Sequence, residues 1–65
     1  MEHGTIIRIE PEAIGLGTIE PATPPGPVSF SIGVVDGRWD QLFEERPVEF
    51  EREAGGTIAT RVRPA

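Results

Sequence analysis

Apolar and polar residues alternate along several short stretches of the chain, and this alternation predicts β-strands. It is complete in residues 28–32, where Val28, Phe30 and Ile32 are expected on the core face. Residues 39–45 could form at most one helical turn, and no segment has helical periodicity over a useful length. The segments with strand character are residues 5–9, 14–19, 28–32, 48–53 and 57–63.

The first two predicted strands each contain a feature that sets the direction of their side chains. In the first, period-2 alternation places Arg8 on the opposite face from Ile7 and Ile9. The second contains Gly15 and Gly17, and glycine inside a strand is typical of a bulge, a barrel corner or a close backbone approach. A Gly-x-Gly also occurs in phosphate-binding loops, but no helix pattern follows it here, so the strand interpretation is preferred.

Glycine and proline separate the strands, most densely in residues 20–27, which hold four of the seven prolines. This composition predicts a stiffened loop, with a proline-rich ligand for another domain as the alternative. Because closing a sheet on itself removes unpaired edges, five short strands predict an all-β, five-stranded antiparallel barrel. We expect residues 1–65 to form one such domain, near the lower size limit for a chain that folds without help.

Composition narrows the possible functions. The formal net charge is −5 and every basic residue is an arginine, which argues against tight, non-specific binding to phosphate backbones. A platform that stacks bases can work with few cations, so single-stranded nucleic acid stays open. The chain has no cysteine, no apolar stretch that could span a bilayer and no signal-type start, and we expect a soluble, cytoplasmic domain.

The chemistry of an enzyme or a metal site is not predicted. His3 is the only histidine and lies near the N-terminus, so a nucleophile would have no plausible general base. Glu49, Glu51 and Glu53 fall on one face at strand spacing, but calcium and magnesium sites draw their ligands from loops that wrap the ion. We therefore expect no catalytic activity, no cofactor and no metal.

Across nearly its whole length the chain resembles the cold-shock domain, the small OB-fold barrel that binds single-stranded nucleic acid. Residues 4–10 resemble the family's opening Gly-Thr-Val-Lys-Trp-Phe-Asn, and residues 14–19 resemble its first motif, Lys-Gly-Phe-Gly-Phe-Ile. Residues 28–31 resemble the second motif, Val-Phe-Val-His. Residues 42–50 match Leu-x-Glu-Gly-Gln-x-Val-Glu-Phe, and residues 59–62 resemble the closing Ala-x-Asn-Val. The resemblance implies an OB-fold.

The departures from the family pattern fall on the residues that bind nucleic acid. Trp39 matches the Phe of the family's Gly-Phe-x-Thr-Leu segment and keeps an aromatic ring. Elsewhere the rings are replaced: Arg8 stands for Trp, Ile9 for Phe, Leu16 and Thr18 for two Phe, Ser29 for Phe and Ser31 for His. Since stacking contributes roughly 1–3 kcal/mol per base, this loss predicts weak binding.

Two functions follow as alternatives. One is weak binding of single-stranded RNA or DNA. The other is a protein-interaction module that has kept the barrel and lost nucleic-acid binding. Convergence of two arginines and the tryptophan beside the serines would favour the first, and carboxylates around them would count against it. The nucleic-acid interpretation uses Arg8, Leu16, Thr18, Ser29, Ser31, Arg38 and Trp39.

Overall fold

The computed structural model describes all 65 residues and contains five strands and two short 3₁₀ turns. The 3₁₀ turns are Ile32–Val34 and Trp39–Gln41. Neither turn has the length or the apolar character that crossing a membrane requires. The strands are β1 (Glu2–Ile9), β2 (Leu16–Pro21), β3 (Val28–Ser31), β4 (Pro47–Arg52) and β5 (Ala59–Pro64).

The strands form one antiparallel sheet in the order β3-β2-β1-β4-β5, and this sheet curls until its outer strands meet. Two isolated parallel bridges join the ends, one between Ser29 and Ile58 and the other between Val35 and Val62. The result is a nearly closed five-stranded β-barrel, an arrangement consistent with an OB-fold. The predicted fold class is confirmed.

Alternating residues of the strands fill the barrel and form its core. On β3, Val28 and Phe30 are buried, and on β4, Val48 and Phe50 are buried, as their alternation predicts. No polar or charged residue is buried in this core. The ten buried hydrophobic residues of the core are Ile6, Ile19, Val28, Phe30, Trp39, Leu42, Val48, Phe50, Ala59 and Val62.

Alternation predicts Ile7 on the same face as Ile9 and opposite Arg8. This prediction is wrong, because β1 contains a bulge. The pairing with β2 shifts register between Ile6 and Arg8, so Ile7 has no partner opposite it. Ile6 is fully buried, whereas Ile7 is 47% exposed. Ile9 packs partly against the core, as expected. The bulge adds one residue to β1. In the part of the strand before the bulge, Ile6 rather than Ile7 therefore points into the core.

Most strand ends differ from the sequence prediction by one to three residues, and two of these differences concern predicted core or strand residues. Ile32 was expected in the core, but β3 ends at Ser31 and Ile32 is 41% exposed at the start of a 3₁₀ turn. The second strand begins at Leu16 rather than at Ile14, because Gly15 has a φ of 69°, in the left-handed region that favours glycine. A tight turn consequently precedes β2.

At one end of the barrel, Arg52 ties three separate segments together. Its guanidinium donates to both carboxylate oxygens of Glu2, at 3.0 and 2.8 Å. The remaining donors reach the backbone carbonyls of Thr23, Pro25 and Gly56. Its side chain is only 3% exposed. This residue anchors the proline-rich loop, observed at residues 22–27, to the first strand and to the β4–β5 turn.

Candidate binding face

Cross-strand pairing brings five of the predicted residues together on the outer surface of β1, β2 and β3. Arg8 lies opposite Thr18, and Thr18 lies opposite Ser29, so these three form one row across the sheet. The neighbouring row pairs Leu16 with Ser31. We call the surface formed by Arg8, Leu16, Thr18, Ser29 and Ser31 the binding face.

A shallow depression of about 270 Å³ crosses the binding face. Its floor depends on Gly17, since a Cβ added there would lie within 3 Å of the Phe30 ring. The ring fills the space that a side chain at Gly17 would occupy, and the backbone stays close to the core. Leu16 stands 52% exposed beside it. The depression is lined by Arg8, Glu10, Leu16, Gly17, Thr18, Ser29 and Phe30.

The arginine of the binding face is held by a carboxylate. Arg8 Nε lies 2.9 Å from Glu10 Oε1, and the Arg8 side chain is 74% exposed. An exposed pair of this kind contributes about 1 kcal/mol or less to stability. Its main effect is local, because the positive charge expected to meet a phosphate already has a negative neighbour.

Trp39 and Arg38 lie beside the binding face rather than on it. The Trp39 side chain is buried, and its Nε1 donates a hydrogen bond of 3.0 Å to the backbone oxygen of Glu10. Its ring packs at 5.8 Å, centroid to centroid, and 52° from the ring of Phe30. Trp39 therefore covers the edge of the core, and its ring has little exposed surface for stacking.

A second depression, of about 340 Å³, is lined by Trp39, whose ring packs against the Phe30 ring of the first depression. Here Arg38 Nη2 contacts Asp40 Oδ2 at 2.6 Å, and both side chains are largely exposed. Ile32 supplies an exposed apolar wall. The residues that line this second depression are Glu12, Ile32, Gly37, Arg38, Trp39 and Asp40.

The carboxylates around the two depressions are the residues that sequence reasoning missed. Glu10 and Glu12 fall between the first two predicted strands, residues 5–9 and 14–19, and were not among the predicted site residues. The turn at residues 11–14 brings Glu12 to the second depression. Glu12 makes no ion pair, while Glu10 and Asp40 each pair with one arginine. Three carboxylates thus face two arginines, and this side of the barrel is slightly acidic.

Exposed aromatic rings are absent from the binding face. The exposed ring of the chain is Phe43, which is 52% exposed in the connection before β4. It lies 5.7 Å from the guanidinium carbon of Arg46, away from both depressions. No group of three or more His, Asp or Glu side chains is placed to hold a metal ion.

Comparison with known proteins adds no assignment: no protein-family model matches the chain, and no curated protein sequence matches it. The barrel topology and the geometry of the binding face therefore carry the functional argument.

Proposed function

We propose that the chain is a divergent barrel of the cold-shock type that uses its binding face to dock another protein. The observation that carries this proposal is the pairing of each arginine near the face with a carboxylate, Arg8 with Glu10 and Arg38 with Asp40. The side chain that stands out from the face is aliphatic, since Leu16 is half exposed and no ring accompanies it.

The binding face lacks the groups that give affinity for single-stranded nucleic acid, which favours a protein partner. Affinity for single strands comes from stacking, at roughly 1–3 kcal/mol per base, and from neutralised phosphates. The face offers no ring to stack on, and a phosphate approaching Arg8 would also approach Glu10. A chain of net charge −5 repels a polyanion at longer range as well.

The same surface has the character of a small protein interface. Interfaces are depleted in charged residues at their centre and have a polar, solvent-accessible rim. Here Leu16, Thr18 and the two serines lie centrally, and the ion pairs lie at one side. The sheet beneath is held by the barrel core, so little conformational entropy is lost when a partner binds.

Weak binding of single-stranded RNA or DNA is the second candidate function. It is favoured by the row of Arg8, Thr18 and Ser29, which would present a guanidinium and two hydroxyls to one strand. Because Arg8 is 74% exposed, its ion pair with Glu10 is easily exchanged for another partner.

Capture from native extract, with and without nuclease, tests the proposal. We expect protein partners that remain after nuclease treatment and are lost with Leu16→Glu. Ala54→Glu is the matched control, because it adds the same charge in the exposed β4–β5 turn, at the other end of the barrel. Partners that disappear with nuclease, or that the two variants retain equally, contradict docking on this face.

A titration with short oligonucleotides at low salt tests the second candidate. The fluorescence of Trp39 reports on it, because its indole is bonded to the backbone of Glu10, which lines the first depression. Docking of protein alone predicts no change at hundreds of micromolar oligonucleotide. A saturable change that Arg8→Ala abolishes would favour nucleic acid instead.

A further inference from the structure

The distribution of ion pairs limits the charge of a partner that docks on this side of the barrel. Of the six arginines, only Arg46 makes no ion pair with an aspartate or glutamate, and its Nη2 donates to the Ala65 oxygen instead. Of the eleven acidic residues, six make no ion pair: Glu12, Glu20, Glu44, Glu45, Glu51 and Glu53.

Glu12 is the unpaired carboxylate that lines a depression beside the binding face. It shares the second depression with the exposed apolar side chain of Ile32 and with the buried Trp39. The only cation there, Arg38, is taken by Asp40 at 2.6 Å. An apolar wall beside a free carboxylate complements a side chain that is aliphatic along its length and cationic at its end.

The two depressions can be reached by one extended segment. Phe30 lines the first depression and Trp39 the second, and their ring centroids are 5.8 Å apart. Successive side chains of an extended chain on the same side are separated by about 6.6 Å, twice the rise of a strand residue. The rings that line the two depressions are thus about one such step apart, and we infer that a residue resting on Leu16 and the next one on the same side reach neighbouring depressions.

We propose that the partner docks through an extended, basic segment, with a lysine or arginine in the second depression. The aliphatic part of that side chain lies on Ile32 and its charge lies beside Glu12. An uncharged or acidic segment would leave Glu12 without a partner or repel it. This inference rests on the proposed docking function and adds the chemistry of the partner.

Model peptides test the inference directly. The probe is the acetylated and amidated peptide Ser-Val-Ser-Lys-Ser-Val-Ser, in which the valines and the lysine share one side, followed by ¹H–¹⁵N correlation spectra of the whole chain. Its analogues replace the lysine by norleucine, which keeps the aliphatic part, or by glutamate. We expect the lysine peptide to shift the Trp39 indole and Gly37 amide signals in a saturable manner, and the two analogues to leave them in place.

Charge variants of the chain supply the matched comparison. Glu12→Gln should weaken binding of the lysine peptide about two- to five-fold, the upper part of the range of one exposed ion pair. Glu53→Gln removes an equally unpaired charge in the β4–β5 region and should leave binding unchanged. Equal binding of the norleucine peptide, an equal effect of both variants, or no saturable shift overturns the inference.

The outcomes also separate this inference from the proposed function. If partner capture is lost with Leu16→Glu but is indifferent to Glu12→Gln, docking stands and the basic segment is wrong. If Leu16→Glu has no effect on capture, the docking function itself fails. Saturable shifts of the same signals by a short oligouridine, stronger than those by the lysine peptide, would replace both with nucleic-acid binding.

Discussion

Arg52 and Arg8 lie near opposite ends of the barrel and use the same side chain in different ways. Arg52 is 3% exposed and directs its donors to one carboxylate and three backbone carbonyls. Arg8 is 74% exposed and makes one contact, to Glu10. The first end is closed by its charge network, whereas the second keeps its charges in solvent.

The difference indicates where the chain is rigid and where it can bind. A buried guanidinium with every donor satisfied cannot exchange its partners without leaving them unpaired. An exposed pair changes partners at little energetic expense, because water compensates both ions. Arg52 therefore has a structural role, and the charges around the binding face remain available to a ligand.

Replacing these two arginines should give the largest difference in stability. Arg52→Ala leaves the Glu2 carboxylate and three carbonyls without donors, and we expect the free energy of unfolding to fall by about 3 kcal/mol. Arg8→Ala should change it by less than about 1 kcal/mol. Denaturant unfolding followed by circular dichroism measures both.

Arg52→Lys sharpens this comparison. A lysine keeps the charge but has three donors where the guanidinium has five, so an intermediate loss is expected. Equal stability of Arg52→Ala and Arg8→Ala would show that the buried network contributes nothing beyond a surface pair.

Replacing Trp39 should have a smaller but clear effect at the other end. Trp39→Phe removes the donor to the Glu10 carbonyl and leaves space beside Phe30, and we expect a loss of about 1–2 kcal/mol. Since Trp39 is the only tryptophan, calorimetry is the suitable measurement. Leu16→Ala, at an exposed position, is the control and should lower stability by less than half as much.

The smallest expected effect concerns how stability depends on pH through Glu49, which forms an ion pair with Arg63. The hydrogen bond from Arg63 is the main cause that lowers the pKa of this carboxyl below its ordinary value. Partial burial opposes the shift, and the positive charges of Arg63, His3 and the amino terminus add to it.

A carboxyl whose pKa is lowered by folding stabilises the protein when it is ionised, and this contribution is lost as the pH falls below about 4.5. Unfolding free energies measured along an acid series should therefore decline less steeply in Glu49→Gln than in the wild type. Identical profiles would mean that the Arg63 pair does not act on folding.

The sequence predicts most of the fold because the strands obey local rules. Alternation at Val28 and Phe30, and again at Val48 and Phe50, is enough to identify the core faces. It fails at Ile7, because a bulge depends on how β1 is shared between its neighbours. The position of the bulge depends on residues far away in the sequence, since Ile6 lies opposite Ile19 on β2 and Thr5 lies opposite Pro47 on β4.

The candidate site is less predictable from sequence. The row of Arg8, Thr18 and Ser29 follows from the strand register. The charge around it does not follow, since Glu12 reaches its depression through a turn. The network of Arg52 joins residues up to 50 positions apart, and no local pattern records such a contact.

The junction between β3 and β5 has a kinetic consequence. The hydrogen bonds at this junction include those from the Ser29 amide to Thr57 and from the Asp36 amide to Val62. Isolated bridges open at lower free energy than the continuous ladders do, and we expect amide hydrogens there to exchange with solvent first. Because Ser29 also belongs to the binding face, a bound partner would slow this opening. Amide hydrogens at the junction would then exchange as slowly as those of the continuous strand pairs.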